Sequence, residues 1–110
     1  MKSILDDCTI DTMIHRRKAL RHNEGKREMA YVLDFPKAMD ELCKVMEYGA
    51  AKYEKDNWKK GGKPDDEYLS ACMRHLYQHR NGNSVDPESD CRHIAHAAWN
   101  LLALLELNTN

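Results

Sequence analysis

No stretch of this 110-residue chain approaches the roughly 20 consecutive apolar residues that span a bilayer, and its N-terminus lacks the apolar core of a signal peptide. The expectation is a cytoplasmic protein with no membrane partner. An excess of one charge sign is missing too: 17 Lys and Arg stand against 18 Asp and Glu, a formal net charge of -1, with a pI near 6.6. Domains that bind nucleic acid usually carry a clear basic excess, so no stable nucleic-acid complex is expected. The four cysteines, Cys8, Cys43, Cys72 and Cys91, contain no C-x-x-C pair, which argues against a zinc knuckle and makes reduced thiols the default. Also absent are a Glu-x-x-Glu, a Glu-x-x-Asp and a His-Asp dipeptide.

What the chain does have is helical periodicity. Its length suits one domain with a modest core, of the kind that oligomerisation often completes. Residues 1–34 lack sustained periodicity and read as a polar N-terminal arm, with a short helix around Asp11 to Arg21 and an extended stretch at Met29 to Leu33. Between His15 and Arg27, Arg16, Arg17, Lys18, Arg21, Lys26 and Arg27 face only Glu24, a local basic run that is either a solvated tail or a phosphate-contacting arm. Residues 35–110 then predict an all-α bundle of three to four main helices. Pro36 suits a first turn that Asp34 can cap, and Met39, Leu42, Cys43, Met46, Ala50 and Tyr53 follow at spacings of three and four, giving a helix over about 36–56.

Lys59 to Pro64 break that helix with a basic, glycine-containing loop. Asp65 or Asp66 can cap a second helix, which carries Leu69, Cys72, Met73 and Leu76 on its apolar stripe and ends near Asn81-Gly82. Cys43 and Cys72 fall among apolar positions and are expected in the core. Asp86-Pro87 predicts the start of a third helix, with Glu88 in a first turn that suits the helix dipole, running to about Leu107. Beyond Ala95 this helix is apolar on nearly every side, so it is expected to be the central one.

Four of the six histidines, His75, His79, His93 and His96, lie between positions 75 and 96. Histidine is the common side chain for metal ligation and near-neutral proton transfer. At about 100° per residue, His75 and His79 share one flank of the second helix. On the third helix as predicted, Ser89, His93, His96 and Asn100 share one stripe, since steps of three, four and seven return to the same face. A polar stripe on an apolar helix needs partners: either neighbouring helices satisfy it as a buried network, or facing side chains build a metal or ligand site inside the bundle.

Taken together, Gly25-Lys26, Pro36, Gly49-Ala50-x-Lys52-Tyr53-x-x-x-Asn57-Trp58-Lys59, Arg74-His75-Leu76, Gly82, Asp86-x-Glu88-Ser89 and His93-x-x-His96-x-x-x-Asn100 resemble the phage dATP/dGTP diphosphohydrolase family. Its members are MazZ-like relatives of the all-α, MazG-type nucleoside triphosphate pyrophosphohydrolases. The resemblance spans residues 25–107. It implies a small helical enzyme that cleaves a purine deoxynucleoside triphosphate, dATP or dGTP, to the monophosphate and pyrophosphate with Mg²⁺ or Mn²⁺. It also implies a homo-oligomer, a dimer or tetramer, working in the host cytoplasm if the chain is phage-encoded.

The wider superfamily pairs Glu-x-x-Glu on one helix with Glu-x-x-Asp on another, and this chain departs from that. Asp40, Glu47 and Glu54 recur every seven residues, roughly 10 Å apart per step and too far for one ion. A metal site must then be assembled across helices, and its candidates are His75, Asp86, Glu88, His93, His96 and Glu47, with Glu67 a further carboxylate. Hydrolysis at phosphorus needs the polyanion neutralised and the water deprotonated. Lys52, Lys59, Lys60 and Arg74 are candidates to hold phosphates, with Lys26 or Arg27 adding charge, and Asn57, Trp58 and Asn100 to bind the nucleoside. Glu88, His75 and His93 are the candidate acid-base groups. Tyr53 and Trp99 read as packing residues. The reading from another class is a small non-enzymatic module that binds nucleic acid or protein and keeps a buried His/Asn network.

Overall fold

In a computed structural model, residues 19–110 are described; Cys8 and most of the predicted helix around Asp11 to Arg21 lie outside them. The architecture is all-α, with a single two-strand ribbon. Residues Met29–Asp34 form a 3-10 helix rather than an extended stretch. A strand needs a neighbour to take its backbone bonds, and here the local bond from the Tyr31 amide to the Glu28 carbonyl takes one of them instead.

Helix α1 covers Pro36–Lys52, with proline at its first turn as predicted. Asp34 does not cap it: the N-cap is Phe35, without a side-chain bond. The helix also stops before the predicted 56. Tyr53 closes it through its amide to the Gly49 carbonyl, and Asp56 at φ 63° turns the backbone left-handed before a 3-10 turn over Asn57–Lys60. Helix α2 spans Asp65–Arg80 with Pro64 as its N-cap and no side-chain cap bond, so neither Asp65 nor Asp66 caps it; both lie with Glu67 inside the first turn, where they complement the helix dipole. Its end at Asn81-Gly82 is as predicted, with Gly82 at φ 92°.

The third helix differs most from expectation. Helix α3 covers His93–Asn108, and the predicted first turn is instead a hairpin: β1 (Val85–Asp86) pairs antiparallel with β2 (Cys91–Arg92) around the loop Pro87 to Asp90. Asp86-Pro87 does start a turn, since the Asp86 carboxylate accepts from the Ser89 hydroxyl at 2.7 Å and its carbonyl from the Asp90 amide at 2.8 Å. Asp90 at φ 58° then leaves the helical region, and the chain returns. Helix begins where the His93 amide reaches the Ser84 carbonyl at 2.9 Å.

The core is small. Val45, Cys91 and Ala95 form its centre, with Tyr48 and Trp99 packed against them. Leu42, Tyr68, Cys72, Ala97 and Ala103 are buried as well. Cys72 is in the core as expected, whereas Cys43 is exposed because the buried side of α1 runs through Leu42 and Val45. Met39, Met46 and Tyr53 are also exposed. Helix α3 packs on both α1 and α2 through small residues, but Ile94, Leu101, Leu102 and Leu105 remain on the surface, so it is central without being enclosed.

Asp90 should tolerate glycine and resist a β-branched residue. Asp90→Gly is expected to leave stability unchanged or slightly raised, and Asp90→Val to lower it by about 1–2 kcal/mol, the left-handed penalty, read from urea denaturation.

Candidate active site

The hairpin carries the chemistry towards α1 and α3. Ser89 Oγ donates to Asp86 Oδ2 at 2.7 Å, lies 2.7 Å from His96 Nε2, and accepts from the Cys91 amide at 3.2 Å. A hydroxyl has one proton. With that proton on the ionised Asp86, the His96 contact requires an Nε2–H donor, which fixes the imidazole tautomer. Ser89 is then saturated and serves as a clip, not a nucleophile. Burial raises the Asp86 carboxyl, but the Ser89 hydroxyl, the Glu88 amide and the nearby imidazoles outweigh it and hold the group below the usual carboxylate range.

Three imidazoles form the wall behind the clip. His75 stacks on His96 with centroids 4.4 Å apart and planes 9° from parallel. Its Nδ1 meets His93 Nδ1 at 2.8 Å, a contact that needs exactly one proton between two nitrogens. His93 and His96 are buried and His75 half-buried. Burial first, then like-charge repulsion from the His96 and His93 rings, pushes His75 down to about 4. Burial also lowers His96, although Asp86 works against it.

On the other side, helix α1 presents Tyr48 and Lys52, one turn apart, to Glu88. The Tyr48 hydroxyl and Lys52 Nζ, the latter at 2.9 Å, both bond Glu88 Oε2. The Tyr48 hydrogen bond first, then Lys52, lowers the Glu88 carboxyl, and the same bond raises the Tyr48 phenol. Lys52 also lies 5.7 Å from the Tyr48 ring centre and 5.4 Å from that of Tyr53. Other lysines nearby are paired as well, Lys59 with Asp56 at 3.4 Å and Lys60 with Glu54.

These groups border a cleft of about 850 Å³. Among the candidates, Lys52, Asn57, Trp58, Lys59, Arg74 and Asn100 line it, and so do Glu47, His75, Asp86, Glu88 and His96. Trp58 meets Trp99 edge to face at 5.9 Å. Asn100 Nδ2 donates to the His96 carbonyl at 2.8 Å. His93 faces a larger groove of about 1350 Å³ on the far side, which shares Arg74, His75 and Asp86 with the cleft. His79 is exposed on the last turn of α2 and lines neither, so the pairing of His75 with His79 does not occur. Lys60, Glu67, Lys26 and Arg27 are also outside the cleft. Tyr48 escaped sequence reasoning; its place one turn before Lys52 was the available signal.

Among the described residues, no three of His, Cys, Asp and Glu converge on a metal position. His75 Nδ1 is engaged by His93 and His96 Nε2 by Ser89. The histidines therefore do not assemble as a ligand set. Glu47, Asp86 and Glu88 do share one cleft, and carboxylate oxygens suit Mg²⁺ or Mn²⁺ held jointly with substrate phosphates.

A family model described as dATP/dGTP diphosphohydrolase, N-terminal, matches residues 16–110. The chain is similar to a Salmonella phage PMBT28 protein named dATP/dGTP diphosphohydrolase, 29% identical over 91 residues that cover 83% of this chain and 30% of that protein. It thus spans about 30% of the length of the curated relative it matches. No solved structure gives a significant match. No helix among the described residues is long and apolar enough to cross a membrane.

The histidine wall sets a pH dependence. Unfolded histidines take up protons near pH 6.5, whereas folded His75 and His96 resist to lower values, so the folded state binds fewer protons in between. Stability is full above about pH 6.5 and falls as pH drops towards 4. Asp86 adds a further loss as pH falls through its depressed folded value. Urea midpoints are expected to decline from pH 7 to 4.5, and His75→Gln or His96→Gln to flatten the slope; a midpoint constant across that window would contradict a neutral buried wall.

Proposed function

The chain belongs to the dATP/dGTP diphosphohydrolase N-terminal family, and from that premise we propose that it hydrolyses dATP or dGTP between the α and β phosphates, releasing the monophosphate and pyrophosphate. The relative from Salmonella phage PMBT28 carries that activity in its name. The observation that supports the reading is a single cleft lined by cations, carboxylates, and aromatic and amide groups. That is the set a nucleoside triphosphate needs: charge for the phosphates, a base for water, and a surface for the nucleobase.

Lys52, Lys59 and Arg74 bind phosphate oxygens. Trp58 stacks on the base, and Asn57 and Asn100 read its edge. Asn100 spends one of its two Nδ2 protons on the His96 carbonyl, which leaves its carbonyl oxygen and a second N–H for the base edge. Glu88, kept ionised by Tyr48 and Lys52, removes the proton from water. His75 and His93 share a proton at the back wall and complete the acid-base set. Glu47 and Asp86 would hold Mg²⁺ or Mn²⁺, and the ion would supply neutralisation of the leaving pyrophosphate. The apolar surface left by Leu69, Met73 and Tyr77 on α2 and by Leu101 and Leu105 on α3 suits a second copy, giving a dimer or tetramer.

The test is incubation with each deoxy- and ribonucleoside triphosphate, with Mg²⁺, Mn²⁺ or chelator, resolving products by anion exchange. Equimolar monophosphate and pyrophosphate from dGTP or dATP, lost with chelator, is the expected result. Glu88→Ala should lower kcat about 10²–10⁴-fold, the usual range for a general base. No turnover of any triphosphate with either metal would overturn the assignment and favour a binding module.

A further inference from the structure

We infer that Tyr48 is a positioning residue for the proposed hydrolysis, its hydroxyl gripping Glu88 Oε2 so that Oε1 stays turned to the reacting water once the triphosphate draws Lys52 away. The inference rests on the functional reading above and adds a residue to it. Both donors meet the same oxygen of Glu88, and among the described residues no bond is made to Oε1. The two donors differ in kind. Tyr48 packs against the Val45, Cys91 and Ala95 core and sets its ring edge-on to His96 at 6.1 Å, so its hydroxyl has a fixed position. Lys52 is exposed on a flexible stem, and a polyanion in the same cleft competes for it.

Glu88 sits in the hairpin loop, its backbone tied to Asp86 and its side chain held by Tyr48 and Lys52, 40 positions along the chain from Tyr48. The charged and titratable groups around it are Lys52 and Tyr48 from α1, Asp86 from the hairpin and the neutral His96 from α3. In the step, water oxygen bonds to the α phosphorus while the α–β bridging bond breaks. The proton passes to Glu88 Oε1, and the electron pair leaves with pyrophosphate. A carboxylate that swung free when Lys52 left would lose alignment with that water.

The experiment compares Tyr48→Phe, Lys52→Ala and Glu88→Ala in turnover of dGTP and dATP and in calorimetric binding of an α,β-methylene triphosphate analogue. A hydrogen bond to a charged group is worth about 1.5–3 kcal/mol, so Tyr48→Phe should lower kcat roughly 10–100-fold. KM and analogue affinity should stay within about twofold, whereas Lys52→Ala should weaken the analogue about tenfold or more. Adding Tyr48→Phe to Glu88→Ala should cost nothing further. An unchanged kcat in Tyr48→Phe, or losses that add in the double variant, overturns the inference. Urea midpoints of the same variants give a readout free of turnover: non-additive shifts are expected, and additive ones overturn the clamp. An inactive parent chain overturns the function itself, and the positioning role with it, which separates the two failures.

Discussion

Everything near the cleft depends on the hydroxyl of Ser89. One oxygen donates to Asp86 and accepts from His96 and from the Cys91 amide, so it closes the hairpin, attaches it to α3 and sets a tautomer in a single group. A ribbon of two-residue strands has few ladder bonds of its own and is unstable in isolation. Side chains hold it instead. Because the hairpin is fixed in this way, Asp86 and Glu88 are held near the ends of α1 and α3 rather than loose on a surface loop.

The helices around that clip enclose little. Alanines let α3 approach α2 and α1 closely, yet leucines at Leu101, Leu102 and Leu105 stay exposed. Several residues consequently serve packing and site together. Tyr48 is the clearest: its ring completes the core while its hydroxyl reaches the cleft. Trp99 is another, covering the core and meeting Trp58 at the cleft. In a chain this short, residues with an apolar body and a polar tip are an economical way to connect the two.

Periodicity and punctuation made the three helices legible, and the ends of α2 were marked by acids at one end and Asn-Gly at the other. The start of α3 was not, because Asp-Pro begins an isolated turn as readily as a helix. The left-handed backbone at Asp90 decides between them, and it is held by its amide on the Asp86 carbonyl and by the pairing of Cys91 and Arg92 with Asp86 and Val85, which no local signal announces. Ser89 and His96 were expected on one stripe of a single helix, seven positions and two turns apart, without a contact between them. The contact exists, and the hairpin makes it. Cys43 and Cys72 looked alike in sequence; only the path of the neighbouring helices separates an exposed thiol from a buried one. His79 likewise matched His75 in spacing, and lost its partner because α3 crosses one turn earlier.

Two lysines that line the cleft are matched with carboxylates before anything binds, Lys52 with Glu88 and Lys59 with Asp56, as is Lys60 outside it with Glu54. Anion capture there is an exchange of partners, not the filling of a bare positive field. A singly charged phosphate gains little by displacing one carboxylate, while a triphosphate displaces several at once from one rigid framework. On the proposed reading, preference for a polyanion over a small anion would arise from that exchange, and each freed carboxylate would stay in the cleft with its negative charge unspent.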